Sequence, residues 1–482
     1  MLLIKSLMGS ALAMASTVVA TAANHDQVTL EKDVIIIGGG ASGSHAAVRL
    51  REDFGKTIVV IEKEATLGGH VNTYSAPSGN YYDFGVQVFL DIEGAADFFA
   101  RLGVQTKEPS RTPITNRYVD FTTGNRVNYT DPASEDITAA LEKYAKICAQ
   151  YEDLLVPGYW NFPTPNDIPE DLLLPFGDFA KKYEIEAVVP SIFTVTGLGD
   201  TSKALTIWVM QAFGGDMARS YLGELKTLVL ASGRNQELYD AIADLLADDV
   251  LYSSRVIKSK RSTEGVTITV ENASGKHTLI KAKRLLLAIE PTPSNLAPFD
   301  FDHREIEVFN KYSYMNLYVG IVANSALPKG ESLVNLPATA APNNYLAFPQ
   351  PSFTTYFNWA GTETTDIFRH IVVGNETLSA RRAKKLVQDD FDRIIKAGTL
   401  ENPKSTKLEF VDFAVHGPIY PWASADELRA GFIQVLYALQ SLRSTWWTGG
   451  AWSVRLQTHL WLYNDVLLPK LIDGLESGKT SV

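Results

Sequence analysis

Between Asp33 and Gly43 the chain reads Asp-Val-Ile-Ile-Ile-Gly-Gly-Gly-Ala-Ser-Gly, and no other stretch restricts its fold as strongly. The β-branched run Val34 to Ile37 predicts a strand covered on both faces. Gly38, Gly40 and Gly43 follow at G-x-G-x-x-G spacing, and His45 to Leu50 predicts a helix leading to a second strand, Thr57 to Ile61. Each glycine has its own reason: a tight turn, room for a pyrophosphate, and close packing of helix on strand. The helix N-terminus offers N–H groups to a diphosphate. Glu62, nineteen residues after Gly43, is placed to accept hydrogen bonds from a ribose. Strand, turn, helix, strand and acid in that order specify a dinucleotide-binding unit, whereas the glycines alone would fit an ordinary α/β turn.

At 482 residues there is room for two or three domain-sized units, and an apolar fraction of 45% is that of a globular chain. The net charge of −11 argues against nucleic acid and anionic membranes as partners. Cys148 is the only cysteine, which excludes an intramolecular disulfide, a thiolate metal cluster and a CxxC pair. Residues 1–23 have a positive start at Lys5, a short apolar run from Leu7 to Ala20, and an A-x-A-like site at Ala20-Thr21-Ala22 before Ala23. They read as a secretory signal peptide. The run falls short of the ~20 strongly apolar residues of a stable membrane anchor. Sequons at Asn128, Asn272 and Asn375 agree with a secreted glycoprotein.

Downstream, Leu67-Gly68-Gly69-His70 and Asp83-Phe84-Gly85-Val86 carry glycines beside extended segments, as expected of backbone that passes a bulky ligand or of ordinary turns. From Asp131 to Leu230 the apolar spacing becomes helical. Ser134 opens a run through Leu155, and Phe176 to Tyr183, Ala187 to Phe193 and Ala204 to Ala218 predict further helices, as does Glu237 to Leu246. Strands are expected at Val250 to Ile257, Val266 to Glu271, His277 to Ala282 and Arg284 to Ile289. Val308 to Ala323, Tyr345 to Pro349, Ile367 to Val373 and Leu408 to Val415 predict a separate, largely antiparallel sheet with one helix, Ser379 to Ala397. Within that helix Asp389, Asp390 and Asp392 read as a solvated face. Ser424 to Leu475 closes the chain as helix, glycine turn (Trp446 to Ala451) and helix. The expected architecture is α/β, α+β overall. A Rossmann-like cofactor domain is assembled from 31–115, 231–295 and 424–482, and a substrate domain of antiparallel sheet plus helices from 116–230 and 296–423.

Four blocks, Val34 to Leu50, Val60 to His70, Asp83 to Phe89 and Leu439 to Ala451, occur in order over nearly the whole chain. On them the sequence resembles the flavin-containing amine oxidase superfamily and, within it, secreted fungal FAD-linked oxidoreductases of the β-cyclopiazonate dehydrogenase type. The resemblance implies an amine-oxidase-like fold with FAD as cofactor. Gly38, Gly40, Ala41, Ser42 and Gly43 would hold the pyrophosphate, and Glu62 the adenosine ribose with Lys63 flanking it. Gly69 and His70 would line the ribityl and flavin region, and Gly85 and Val86 would lie along the isoalloxazine. Val256, at the end of its strand, would meet adenine through its backbone. Gly449, Gly450 and Ala451 would approach the ribityl chain at the N-terminus of the last helix. Relatives often bond FAD to a cysteine near the C-terminus; Cys148 lies far from that motif, so non-covalent FAD is expected. They also tend to carry a lysine near the flavin in the strand matching Tyr312 to Gly320. Only Lys311, at its edge, is present, which counts against simple amine oxidation and reactivity with oxygen.

Flavin chemistry asks the protein mainly to orient the substrate and tune the ring. Trp446 occupies the position of an aromatic that flanks the substrate in such enzymes, and Trp offers a large rigid contact face. His416, ending a strand, is a candidate base or hydrogen-bonding group. Tyr314, Tyr356, Trp359, Trp447, Trp452 and His459 are expected chiefly to pack. There is no metal-ligand spacing and no nucleophile elbow. The expected reaction is hydride removal from a hydrophobic or aromatic small molecule, by a dehydrogenase or oxidative cyclase of a secondary metabolite, with an unidentified electron acceptor. The alternatives are redox-neutral isomerisation of double bonds in a polyunsaturated fatty acid, and flavin binding without turnover.

Overall fold

The computed structural model describes residues 28–110, 112–361, 365–400 and 405–477, so the proposed signal peptide, residues 1–23, lies outside the described residues. β1 (Val28–Ile37) runs into α1 (Ala41–Val48), and β2 (Ile58–Ile61) pairs parallel to β1. Val34, Ile35, Ile36, Ile58 and Val60 have no exposed surface, as a strand between two layers requires. On its other edge β1 pairs in parallel with the strand His277–Leu287, which pairs in turn with Thr445–Trp447, while Val250–Leu251 pairs with β2. A parallel sheet is thus drawn from three distant stretches of chain. The first half of His277–Leu287 extends sideways into an antiparallel meander with Val266–Asn272 and Ser254–Arg261. The last helix, Gln457–Ser477, packs along α1.

A second sheet has the strand order Glu409–Val415, Ser313–Ala323, Ile367–Asn375, Phe353–Trp359, Glu331–Asn335, Thr115–Asp120 and Asn125–Arg126, with Ile419–Trp422 pairing the start of Ser313–Ala323. Its pairs are antiparallel except Glu331–Asn335 with Thr115–Asp120. Side chains alternate across it. Tyr318, Val322, Phe368 and Val372 point to a separate core under the helix Ala380–Lys396. Leu317, Val319, Ile321 and Val373 point to the core shared with the parallel sheet. The helices between Ser134 and Tyr221 close the same inner side.

Several expectations are corrected. His277–Leu287 is one strand where two were expected, because its pairing with β1 continues from Thr278 to Leu287. The strand expected from Val250 breaks at Ser253, whose φ is +46°, and Val256 falls early in Ser254–Arg261 instead of at a strand end. Val308 and Phe309 are helical, in His303–Phe309. The Asp302 carboxylate accepts from the N–H groups of Arg304 and Glu305, and Glu305 returns a bond to Asp302, a reciprocal cap that the apolar run concealed. Tyr345 to Pro349 forms no strand, and Ala204 to Ala218 divides into Thr206–Ala212 and Gly215–Tyr221. Trp446 and Trp447 belong to a sheet strand and not to a turn. Asp390 is buried beside Arg393, not solvated, and burial pushes its carboxyl up to about 7. The segment 299–309, expected with the substrate unit, packs on the cofactor sheet, where Phe301 and Phe309 lie 5.4 and 4.8 Å from Trp447.

Candidate functional site

Glycine turns meet at the carboxyl ends of the parallel strands. Gly38 has φ +98°, its N–H donates to Ile61 O at 2.9 Å, and a Cβ there would lie 2.8 Å from Ala288 O. A Cβ on Gly43 would run into Gly38 O, so helix and strand touch through bare backbone. Gly40 precedes α1 without a side-chain cap, and a Cβ there would meet only Gly69 Cα, at 3.6 Å. The first N–H groups of α1 therefore open onto space. Gly68 N–H donates to Gly39 O at 2.9 Å, and Gly69, with φ +57°, sits so near that a Cβ would be 2.9 Å from Gly40 Cα. The second glycine turn lies directly on the first. Buried Glu62 accepts from Gly39 N–H at 2.6 Å and from Glu64 N–H at 2.8 Å. Asn464 of the last helix donates to Ser42 O at 2.8 Å and accepts from Thr448 Oγ1 at 2.6 Å, which ties the glycine turn to the C-terminal strand.

The next segment is held as firmly. His70 O accepts from Val86 N–H at 3.1 Å, and a Cβ on Gly85 would collide with His70 O. Asn235 Nδ2 donates to Val86 O and Gln236 Nε2 to Leu67 O, both at 2.9 Å. The His70 ring stacks on His416 with centroids 4.5 Å apart. His416 Nε2 lies 2.6 Å from Asn72 Oδ1; with the amide oxygen facing it, Nε2 carries the proton and Nδ1 is left as an acceptor. Burial draws His70 down to about 4 and His416 well below its ordinary value, so both rings are neutral at pH 7. His70 is exposed by area and yet desolvated, which places it on an enclosed space and not in bulk water.

A second set of polar groups gathers around Gly450. Glu290 follows the strand His277–Leu287; its Oε2 is buried without a partner, and burial pushes its carboxyl up to about 7. The Arg455 guanidinium stacks over Tyr420 at 5.1 Å, donates through Nε to Gly450 O at 3.3 Å and through Nη2 to Pro421 O, and leaves Nη1 unpartnered. Gly450 stands between them: a Cβ there would lie 3.4 Å from Glu290 Oε1 and 3.1 Å from Arg455 Cγ. The Tyr314 hydroxyl, also buried and unpartnered, feels both charges. Ser42 Oγ, Gln457 Oε1 and Thr458 Oγ1 are likewise unpaired. Buried polar groups ordinarily find partners, so this concentration calls for a polar ligand. The set fits FAD: backbone N–H groups and a helix end for the diphosphate, a carboxylate for the ribose, and mixed donors and acceptors for the ribityl chain and ring. Sequence reasoning missed Glu290, Arg455, Gln457 and Thr458. The one available signal was an acid directly after the apolar run Leu285 to Ile289.

The other expected residues lie in varied surroundings. The Lys63 side chain is 80% exposed and points to solvent near Glu64. Gly449 and Gly450 follow the strand Thr445–Trp447 and are not at the N-terminus of the last helix, whose first carbonyl is that of Leu456. Ala451 is buried, and its carbonyl accepts from Tyr312 Oη at 2.6 Å. Val256 is buried beside a bulge, opposite Val270. Trp446 is 1% exposed and in register with Leu286, so it is a sheet residue and not a wall of the enclosed space. Trp447 and Trp452 stack at 4.9 Å and pack, and Trp359 joins the core under the helix Ala380–Lys396. His459 Nε2 lies 2.8 Å from Asp216 Oδ2, and Lys311 is paired with Glu427 at 2.6 Å. Cys148 is buried in the helix Ser134–Cys148, and burial pushes its thiol up to about 12. No group of three metal-ligating side chains occurs among the described residues.

Residues 36–102 match the NAD(P)-binding Rossmann-like domain family. Over 450 residues the chain is 32% identical to β-cyclopiazonate dehydrogenase of Aspergillus flavus, with 92% of this chain and 93% of that protein covered. It is 33% identical over 455 residues to the FAD-dependent oxidoreductase pigF of Monascus ruber, with 92% and 93% covered. Among solved structures, the CLA-producing fatty acid isomerase from P. acnes matches with a TM-score of 0.71 at 16% identity, over 91% of this chain and 98% of that one. A putrescine oxidase variant matches with a TM-score of 0.61 at 18% identity, over 92% and 100%. The structural likeness establishes an amine-oxidase-type fold, and the sequence likeness over nine-tenths of both chains establishes kinship. The chain belongs to the family of FAD-dependent oxidoreductases that includes β-cyclopiazonate dehydrogenase.

Proposed function

We propose that the protein holds FAD without a covalent link and oxidises a hydrophobic or aromatic small molecule, as a dehydrogenase or oxidative cyclase of secondary metabolism. The observation that carries this reading is the seating of Gly68–Gly69 on Gly38–Gly40 beside the buried Glu62, a backbone cradle that side chains would fill. In it the diphosphate lies against Gly38, Gly40, Ala41, Ser42 and Gly43, the adenosine ribose at Glu62, and adenine at the backbone of Val256. Gly69, His70, Gly85 and Val86 flank the ribityl chain and ring on one side, and Gly449, Gly450 and Ala451 on the other. The pieces 31–115, 231–295 and 424–482, joined by 299–309, act as the cofactor unit, and the second sheet covers the substrate.

When bound, FAD supplies the hydride acceptor. Ile367 and Ile371, only partly buried on the inner face of the second sheet, offer an apolar wall to the substrate body. His416 orients it: the neutral ring, fixed by Asn72, accepts a hydrogen bond at Nδ1, and its lowered pKa makes it a weak base. Glu290, near neutrality, is better matched to take a proton. Trp446 supports the sheet beneath. In anaerobic mixing with a substrate the flavin bleaches and stays reduced until an electron acceptor is added. Product formation without an acceptor, with the flavin left oxidised, would replace oxidation by isomerisation. Secretion belongs to the same proposal. Asn128, Asn272 and Asn375 all stand exposed, as glycan acceptors must, and peptide mass mapping of protein secreted from a fungal host tests it.

A further inference from the structure

Arg369 is a cation enclosed by protein that forms no ion pair among the described residues. It stands in Ile367–Asn375 opposite Ile321 and Asn358, and its neighbours on that face, Ile367 and Ile371, pack on the core shared with the cofactor sheet. Nε donates to the backbone carbonyl of Asp83 at 2.7 Å. The remaining guanidinium N–H groups meet no acceptor among the described residues. The side chain is only half-buried by area, yet desolvation lowers its pKa. As with His70, the two together place the charge on an enclosed space.

The groups around it leave it uncompensated. Asp83, the acid that acts on it electrostatically, is already bonded to the Thr73 hydroxyl and to Asn235 N–H. Tyr82 and Tyr356 act on it too; the Tyr82 hydroxyl is buried without a partner, and burial pushes the Tyr356 phenol up to about 12, which keeps that phenol a donor. A guanidinium that is enclosed and unpaired, near two phenols and opposite Asn358, whose Oδ1 is also buried without a partner, is costly unless a ligand completes it.

We propose that Arg369, assisted by the Tyr82 hydroxyl, forms the subsite that receives an anionic oxygen of the substrate, a carboxylate or enolate, between the second sheet and the segment Tyr81 to Val86. This rests on the oxidoreductase reading above and names the substrate class for it. The bond to Asp83 O sets the charge two residues from Gly85, so an anion held there lays its apolar body along Ile367 and Ile371 beside the cofactor segment.

Calorimetric titration of the holoenzyme with benzoate, and with its neutral isostere benzamide, tests the subsite. The wild type binds benzoate at least about tenfold more tightly than benzamide. Arg369→Gln abolishes that preference while FAD content and benzamide binding stay unchanged, Arg369→Lys keeps part of it, and Tyr82→Phe weakens benzoate a few-fold. Should Arg369→Gln fail to fold, Arg369→Lys and Tyr82→Phe carry the test through their benzoate-to-benzamide ratios. A wild type without preference, or variants that keep it in full, overturns the proposal. So does loss of FAD in Arg369→Gln protein that remains folded, because the charge would then serve the cofactor. Absence of FAD from the wild type would fail the oxidoreductase reading instead, and the benzoate ratio would still be measurable.

Discussion

Two charged regions of this molecule are built on opposite terms. Behind the cofactor sheet, Arg261 is fully buried and donates to the two oxygens of Glu305 at 2.9 and 2.7 Å, to Asp300 at 3.2 Å and to the Thr445 hydroxyl at 3.0 Å. Arg443 closes the cluster on Asp300 at 2.6 Å. Between the sheets, Glu290 and Arg455 share an enclosure and leave Oε2 and Nη1 unpaired, and Arg369 has no ion-pair partner among the described residues. Where charge only has to join strands, its bonds are completed by protein. Where it is left open indoors, it waits for a ligand.

The largest effect that would sharpen this contrast comes from the cradle. Gly43→Val puts a side chain into Gly38 O, and the purified variant should carry no FAD while keeping its secondary structure. A yellow, flavin-loaded Gly43→Val protein would break the assignment of the cradle. The ion cluster comes next. Glu305→Ala strands Arg261 without its bidentate partner, and urea unfolding should show a loss of about 3–5 kcal/mol. Glu290→Gln in the apoprotein removes a carboxyl that nothing satisfies and should cost nothing; a comparable loss there would erase the distinction between the two regions.

The smallest effect is a pH dependence. Glu290 and Asp390 are both raised to about 7 by burial, so the folded apoprotein holds their protons more tightly than the unfolded chain. Their contribution is full below the ordinary carboxylate range and is lost as pH rises toward 7. The buried, neutral His45, His70, His370 and His416 act with the opposite sign, their contribution growing as pH rises toward the ordinary imidazole value, so the carboxyls are read as a difference from wild type. Between pH 5 and pH 7.5 the urea midpoint should climb more steeply, or fall less, in Glu290→Gln than in the wild type, and more so in Glu290→Gln with Asp390→Asn; an unchanged slope in the double variant would place the titration elsewhere.

The cofactor half was legible because its constraints are local. Gly38 and Gly43 each answer a backbone requirement that short spacing reveals: a Cβ at either would meet a backbone carbonyl oxygen. The substrate half was not, because its meaning arises from convergence. Arg369 and His370 read alike in Ile367 to Val373, yet one faces the shared core and the other is buried between Phe410 and Phe413. Only the pairing of distant strands decides which. Asp390 sits in an acidic run that looks solvated until the sheet covers it. Val308 and Phe309 looked like strand until Asp302 capped them into a helix.

The most direct test of the account is the flavin itself. The protein is purified, its visible spectrum recorded, and the chain denatured and precipitated, with the supernatant identified by chromatography. The account predicts an oxidised flavin spectrum at close to one flavin per chain, released entirely as intact FAD. A colourless protein that takes up no added FAD, or flavin that stays with the precipitated polypeptide, would contradict it.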